Sequence, residues 1–263
     1  MTIKEKFIEL NEKGKKALIT FTVAGDPDLK TTSELVKEMA SKGADIIELG
    51  IPYSDPLAEG PVILRANSRA LQNEINLTKV FPMCGELNKD LKTPLVFLLY
   101  FNVILQYGIG HFFRNCSHNG ISGVIIPDLP FEEKDEIAPA AKDWGVDIIS
   151  LVSPTSGDRI EKIAKEATGF LYCVSSTGVT GIRDTFNTNF HEFFRKINQA
   201  TKIPKALGFG ISSPEQVKEL KKWCDGIIIG SSIVKIIEKS GSPEESITEV
   251  GKFIKTLRAA LDS

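Results

Sequence analysis

Short apolar runs alternate with amphipathic stretches along the whole chain. The apolar runs cover residues 17–23, 45–51, 94–100, 123–127, 146–152, 170–174, 204–209 and 226–229. Most lack an in–out alternation, which predicts strands buried on both faces, as in a parallel sheet. Between them, residues 32–42, 132–144, 158–167, 190–199 and 214–223 carry helical spacing. Gly43, Gly120, Gly145 and Gly169 punctuate several helix ends, where a left-handed residue closes the last turn. Ser213-Pro214-Glu215-Gln216 reads as a cap, a proline at the first helical position, then acidic and amide residues. Strand–helix alternation implies crossover connections between parallel strands. Eight repeats of about 33 residues each have the size of one βα unit and predict a closed (βα)8 barrel in the α/β class. A leading helix over residues 3–12 is placed at the N-terminal end of the barrel as a plug. The region 1–263 is read as one domain, with no linker or low-complexity segment. An open doubly wound sheet would need a glycine-rich dinucleotide turn after the first strand. The chain has Ala24-Gly25-Asp26-Pro27-Asp28 there.

Composition narrows the function classes. The net charge is −2, with 25% charged and 42% hydrophobic residues. That gives no basic footprint for nucleic acid. No apolar run approaches membrane-span length, and residues 1–6 carry nothing like a secretory signal. Cys84, Cys116, Cys173 and Cys224 are far apart, so buried free thiols in a reducing cytoplasm are expected. His111, His118 and His191 lack the spacing of a metal-binding pair. No metal site is expected.

In such barrels the chemistry sits at the C-terminal ends of the strands. Glu48 falls there, among apolar neighbours, at the end of the second strand. Desolvation would raise its pKa into the range of a proton shuttle. A buried glutamate paired with a lysine is the competing structural explanation. The next loop carries Asp55 and Glu59 between prolines and a glycine. Glu59 could face the mouth or be a solvated loop acid. After the seventh strand comes Gly208-Phe209-Gly210, and after the eighth Gly230-Ser231-Ser232. Each opens a helix, and exposed amides with the helix dipole would bind a phosphate there. Ordinary glycine turns would look similar. Residues 175–183 are small, polar and glycine-punctuated, as a mobile lid or a loose loop would be. Tyr172 could aim its phenol into the interior. Phe21, Asp26, Asn102 and Asp128 also lie at strand ends. Asp128, between two prolines, could equally be a helix or turn cap. The apolar run 101–107 would be a partner-facing patch if exposed; burial against the barrel wall is the plainer expectation. The residues alone thus point to a cytosolic barrel enzyme with an organic phosphate substrate and carboxylate acid–base groups.

The run Glu48-Leu49-Gly50-Ile51-Pro52-Tyr53-Ser54-Asp55-Pro56-Leu57-Ala58-Glu59-Gly60-Pro61 closely resembles the tryptophan synthase α-subunit family. Residues 21–27, 126–132, 175–181, 208–217 and 230–239 agree in the same order. The resemblance implies an indole-3-glycerol-phosphate aldolase with no cofactor of its own. It also implies a pyridoxal-phosphate-containing β subunit as partner, in an α2β2 complex of the cytoplasm. It makes Glu48 and Glu59 the catalytic acids. Phe21, Ile63, Leu98 and Tyr172 become the indole pocket, and Gly181, Phe209, Gly210, Gly230 and Ser231 the phosphate site. It implies that Thr180 of the lid orders the site through Asp55 or Glu48, with Asp55 and Asn102 near the partner contact. The family pattern has an aspartate at 59, often an arginine at 176 where this chain has Ser176, and often a polar residue where it has Leu64. The extra methylene of Glu59 moves a carboxylate by over an angstrom, and misplacement of that order can cost about a hundredfold in rate. A chain that mainly activates β without cleaving substrate is the alternative. A stand-alone indole-releasing lyase and another phosphate-binding barrel enzyme are further readings.

Overall fold

The computed structural model describes residues 1–174, 189–208 and 210–263. Thr180, Gly181, Ser176 and Phe209, singled out above, lie outside the described residues. In chain order the elements are α1 (Ile3–Glu12), β1 (Ala17–Val23), α2 (Leu29–Ser41), β2 (Ile46–Gly50), α3 (Pro61–Gln72) and α4 (Leu77–Asp90). Next come β3 (Leu95–Leu98), α5 (Phe101–Tyr107), α6 (Ile109–His118), β4 (Ile121–Ile125), α7 (Ala138–Asp143), β5 (Asp147–Val152) and α8 (Arg159–Glu166). The remainder are β6 (Leu171–Val174), α9 (Phe190–Ala200), β7 (Lys205–Gly208), α10 (Pro214–Leu220), β8 (Gly226–Ile229), α11 (Ser231–Lys239) and α12 (Pro243–Asp262). The strands are parallel and close in sequence order, with β1 pairing both β2 and β8. This is the expected (βα)8 barrel, including the short helix after the eighth strand.

All seven residues of β1 and all five of β2 are buried. They face the barrel interior on one side and the helical layer on the other. That double burial is why their sequences do not alternate. The leading helix closes the floor. A capping box at Thr2 and Glu5 starts α1. Ile3, Phe7 and Leu10 then pack with Ala17, Ile19, Ile46, Val96, Ile125, Ile149 and Phe170 inside the barrel. The rings of Phe7 and Phe170 lie 5.9 Å apart. Gly123 makes room for the plug, since a Cβ there would stand 2.9 Å from Ile3 Cδ1. Each such buried aromatic or aliphatic side chain contributes about 2 kcal/mol, so the bottom of the barrel is packed core and the open end is the top.

One expected helix is two pieces. Residues 132–144 form a 3-10 helix, Phe131–Glu136, followed by α7. Pro139 has no N–H to donate to the carbonyl of Asp135, and its ring would clash with that carbonyl in a continuous helix. Pro139 therefore sits in the first turn of a new helix. The 214–223 segment also changes type, with α10 giving way to a 3-10 turn, Lys221–Trp223.

Candidate active site

The strands deliver side chains to the mouth by their register. Phe21 of β1 pairs across from Glu48 of β2, and Gly50 pairs with Leu98 of β3. On the opposite wall Leu151 of β5 pairs with Tyr172 of β6. Two strand-end glycines leave space for these side chains. A Cβ at Gly50 would come 2.7 Å from Phe21 Cζ, and one at Gly208 would come 2.8 Å from the Tyr172 hydroxyl. Together they enclose a cavity of about 160 Å³. Phe21, Ile63, Leu98 and Tyr172, expected as an apolar pocket, all line it, joined by Leu151 and Ile228. Glu48, Glu59, Gly210, Gly230 and Ser231 line the same cavity.

Glu48 is 1% exposed. Its Oε1 has no hydrogen-bond partner among the described residues, and no described lysine pairs with it, against the competing explanation above. Burial alone pushes its pKa up to about 8, because a carboxylate in an apolar wall loses its hydration. Near neutral pH Glu48 is therefore mostly a protonated acid.

Glu59 is buried too, at the end of the loop between β2 and α3. Burial raises its pKa, while a hydrogen bond from Tyr100 and nearby backbone amides lower it. The Tyr100 phenol donates to Glu59 Oε2. The phenol oxygen of Tyr100 in turn accepts from the amides of Leu57 and Ala58, each at 2.9 Å. Tyr53 stacks on the Tyr100 ring with centroids 4.9 Å apart. One side chain thus fixes both the loop and the acid it carries. Glu59 is neither a solvated loop acid nor free to swing.

The anion-binding features lie across the mouth. Gly210 has φ +81°, a left-handed turn suited to glycine. Gly230 leads directly into α11, and no side chain among the described residues caps that helix. Its first amides are left for a ligand or water.

The structure leaves two expected residues outside the cavity. Asp55 and Asn102 are exposed at the rim. Asp55 accepts from the Ser54 hydroxyl, and Asn102 lies in the first turn of α5. Asp128 proves to be a cap, accepting from the Phe101 amide at 2.9 and 3.2 Å. The run 101–107 is mixed: Ile104 is fully buried and Leu105 is 48% exposed. Leu64 is partly exposed beside Tyr53, Pro56 and Leu71 and does not line the cavity. Among the described residues no three His, Cys, Asp or Glu side chains cluster as a metal site would need. No helix among them is long and apolar enough to cross a membrane. Tyr100 is not among the strand-end residues singled out from sequence, although its place at the top of the third strand was the available signal.

Known proteins share this architecture along the full length. The sequence model of the tryptophan synthase alpha chain family matches residues 7–262. The chain belongs to the tryptophan synthase alpha chain family. The alpha chain of Alkaliphilus metalliredigens is 48% identical over 255 residues, covering 97% of this chain and 96% of its own. That of Thermoanaerobacter sp. is 46% identical over 98% of this chain and 99% of its own. The crystal structure of the Legionella pneumophila alpha chain superposes with a TM-score of 0.89 at 32% identity, covering 100% of this chain and 98% of that one. A solved Pyrococcus furiosus structure, described as the basis of mutual activation in the tryptophan synthase a2b2 complex, gives 0.85 at 33% identity, covering 92% and 98%. As a tryptophan synthase alpha chain, the protein is a carbon–carbon lyase of tryptophan biosynthesis that cleaves indole-3-glycerol phosphate.

Within this family member the Tyr100 contact has a signed consequence. Tyr100→Phe removes a hydrogen bond that lowers the Glu59 pKa and unpairs the Leu57 and Ala58 amides. The acid limb of kcat/KM is expected to move to higher pH, with a loss of about tenfold or more at neutral pH. A pH–rate series on the variant checks this; an unmoved limb would mean Tyr100 does not tune Glu59.

Proposed function

We propose that Glu48 and Glu59 divide the lyase reaction between them. Protonated Glu48 delivers its proton to indole C3, giving an indolenine-like ring with positive charge at nitrogen. The Glu59 carboxylate accepts the ring N–H and stabilises that charge. Ionised Glu48 then takes the proton of the glycerol hydroxyl beside the breaking bond. The carbon–carbon bond breaks, its electron pair returns to the indole ring, and the hydroxyl carbon becomes the aldehyde. Indole and glyceraldehyde 3-phosphate leave, and Glu48 is protonated again. Phe21, Ile63, Leu98 and Tyr172 hold the indole. Gly210, Gly230 and Ser231 hold the phosphate, together with Phe209 and Gly181. The observation that carries this reading is a buried carboxyl, its Oε1 unpartnered among the described residues, on the same small apolar cavity as a second, phenol-held carboxyl and two glycine turns.

The chain itself uses no cofactor in this chemistry, because proton transfers drive the bond cleavage and the protonated indole ring accepts the electron pair. Indole passes to a β subunit carrying pyridoxal phosphate, in a cytoplasmic α2β2 assembly of the kind named for the Pyrococcus furiosus relative. Asp55 and Asn102, exposed at the rim, lie on the side that meets it, and Thr180 links closure over the site to that contact. The test is indole release from indole-3-glycerol phosphate by the chain alone and with an added β subunit. Slow release that β accelerates is expected. No release under either condition, with β turnover still stimulated, would make the chain an activator only.

A further inference from the structure

Four charged side chains behind the mouth join three elements that carry the site. Asp26 follows β1 and is 1% exposed. Arg69, on α3, holds it with both arms of a fork, Nε to Oδ1 at 2.7 Å and Nη2 to Oδ2 at 2.8 Å. The remaining nitrogen of Arg69 donates to Glu238 Oε1 at 3.0 Å. Glu238 sits on α11 and also takes both arms of Arg65, at 2.6 and 2.8 Å. Its carboxyl is held down to about 2 by these two guanidinium groups. A guanidinium that satisfies two carboxylates at once fixes angle as well as distance.

The elements joined are those that meet at the cavity. α3 begins at Pro61, two residues after Glu59. α11 begins at Ser231, on the cavity wall. Glu238 is seven residues further on, about 10 Å along the helix axis. α11 has no side-chain cap at its start among the described residues, so its tilt is set by packing and by what grips its far end. We infer that Arg69, gripping Glu238 and the buried Asp26, is a positioning residue that aims the α11 amides at the substrate phosphate relative to Glu59. This rests on the phosphate assignment proposed above. It is a positioning role, since neither Arg69 nor Glu238 lines the cavity.

Glu238→Gln is the decisive variant, because it loosens α11 while leaving the Arg69–Asp26 fork in place. Removing a negative charge on the anion-binding helix would by Coulomb attraction alone tighten an anionic ligand. Positioning requires the opposite. The Ki of glycerol 3-phosphate against substrate is expected to rise about threefold or more, with kcat and the Kd for indole held near wild type. Arg69→Lys keeps a charge near Asp26 but cannot fork, and is expected to show the same KM-against-kcat split. Equal or tighter glycerol 3-phosphate binding in Glu238→Gln, at unchanged Tm, overturns the inference. Ser231→Pro, which removes the first α11 amide donor at a helix position that tolerates proline, separates this from failure of the underlying assignment. If that variant also binds glycerol 3-phosphate normally, α11 is not the phosphate site; if it alone binds weakly, the site stands and the positioning role falls.

Discussion

Glu48→Gln is expected to cut indole release by about a thousandfold, the scale of a lost acid–base group. The same change is expected to stabilise the fold at alkaline pH relative to wild type. The amide keeps the shape of the side chain but has no proton to give. In the folded chain Glu48 titrates at about 8 rather than the ordinary 4.5, because burial strips the carboxylate of its hydration. Below the ordinary value both folded and unfolded chains hold the proton, and Glu48 adds no pH-dependent cost. As pH rises from there to about 8, the unfolded chain releases the proton and the folded chain keeps it. Folded stability falls across that window, by a few kcal/mol at about 1.4 kcal/mol for each pH unit. Above it the penalty is constant. The Tm difference between Glu48→Gln and wild type should therefore grow from about pH 5 to pH 8 and then level. Thermal unfolding across that range checks it. A difference that does not vary with pH would place an ordinary carboxyl at this position.

Glu59→Gln is expected to cost about a hundredfold in kcat/KM. In the proposed reaction the carboxylate faces the charge that develops on the ring nitrogen, and a neutral amide stabilises that charge far less. Glu59→Asp keeps the charge but withdraws it from the Tyr100 phenol, so it should retain more activity than Glu59→Gln. Steady-state kinetics on the two variants give the order. If the amide were as active as the aspartate, charge at the ring nitrogen would not be what Glu59 supplies. The family pattern has aspartate at this position, and the structure suggests how the longer acid is accommodated. Tyr100 fixes the Leu57 and Ala58 amides and the Glu59 carboxyl with one oxygen, so the loop is anchored around the glutamate.

The barrel was readable because its strands are buried on both faces. Residues 17–23 and 226–229 coincide with β1 and β8, since an unbroken apolar run has no other stable place in a chain of this composition. Glu48 was readable for the converse reason: one acid in such a run is costly unless it has a task. The split of residues 132–144 was missed because helical spacing outweighed Pro139, which only the backbone hydrogen-bond pattern exposes. Tyr100 and the Asp26–Arg69–Glu238 chain were hidden differently. Their partners are 41, 43 and 169 residues apart in sequence, and local pattern carries no information about which distant charge or phenol will meet which acid. Asp128 had two readings from sequence, and its bond to the Phe101 amide decided for the cap.

The pH dependence of kcat/KM for indole release tests the central assignment most directly, because it reports the free enzyme, the state in which Glu48 is buried and protonated. The expected profile falls as pH rises through about 8, as the acid form of Glu48 is lost. A profile that instead rises through that range, or stays flat well beyond it, would contradict Glu48 as the acid that opens the reaction.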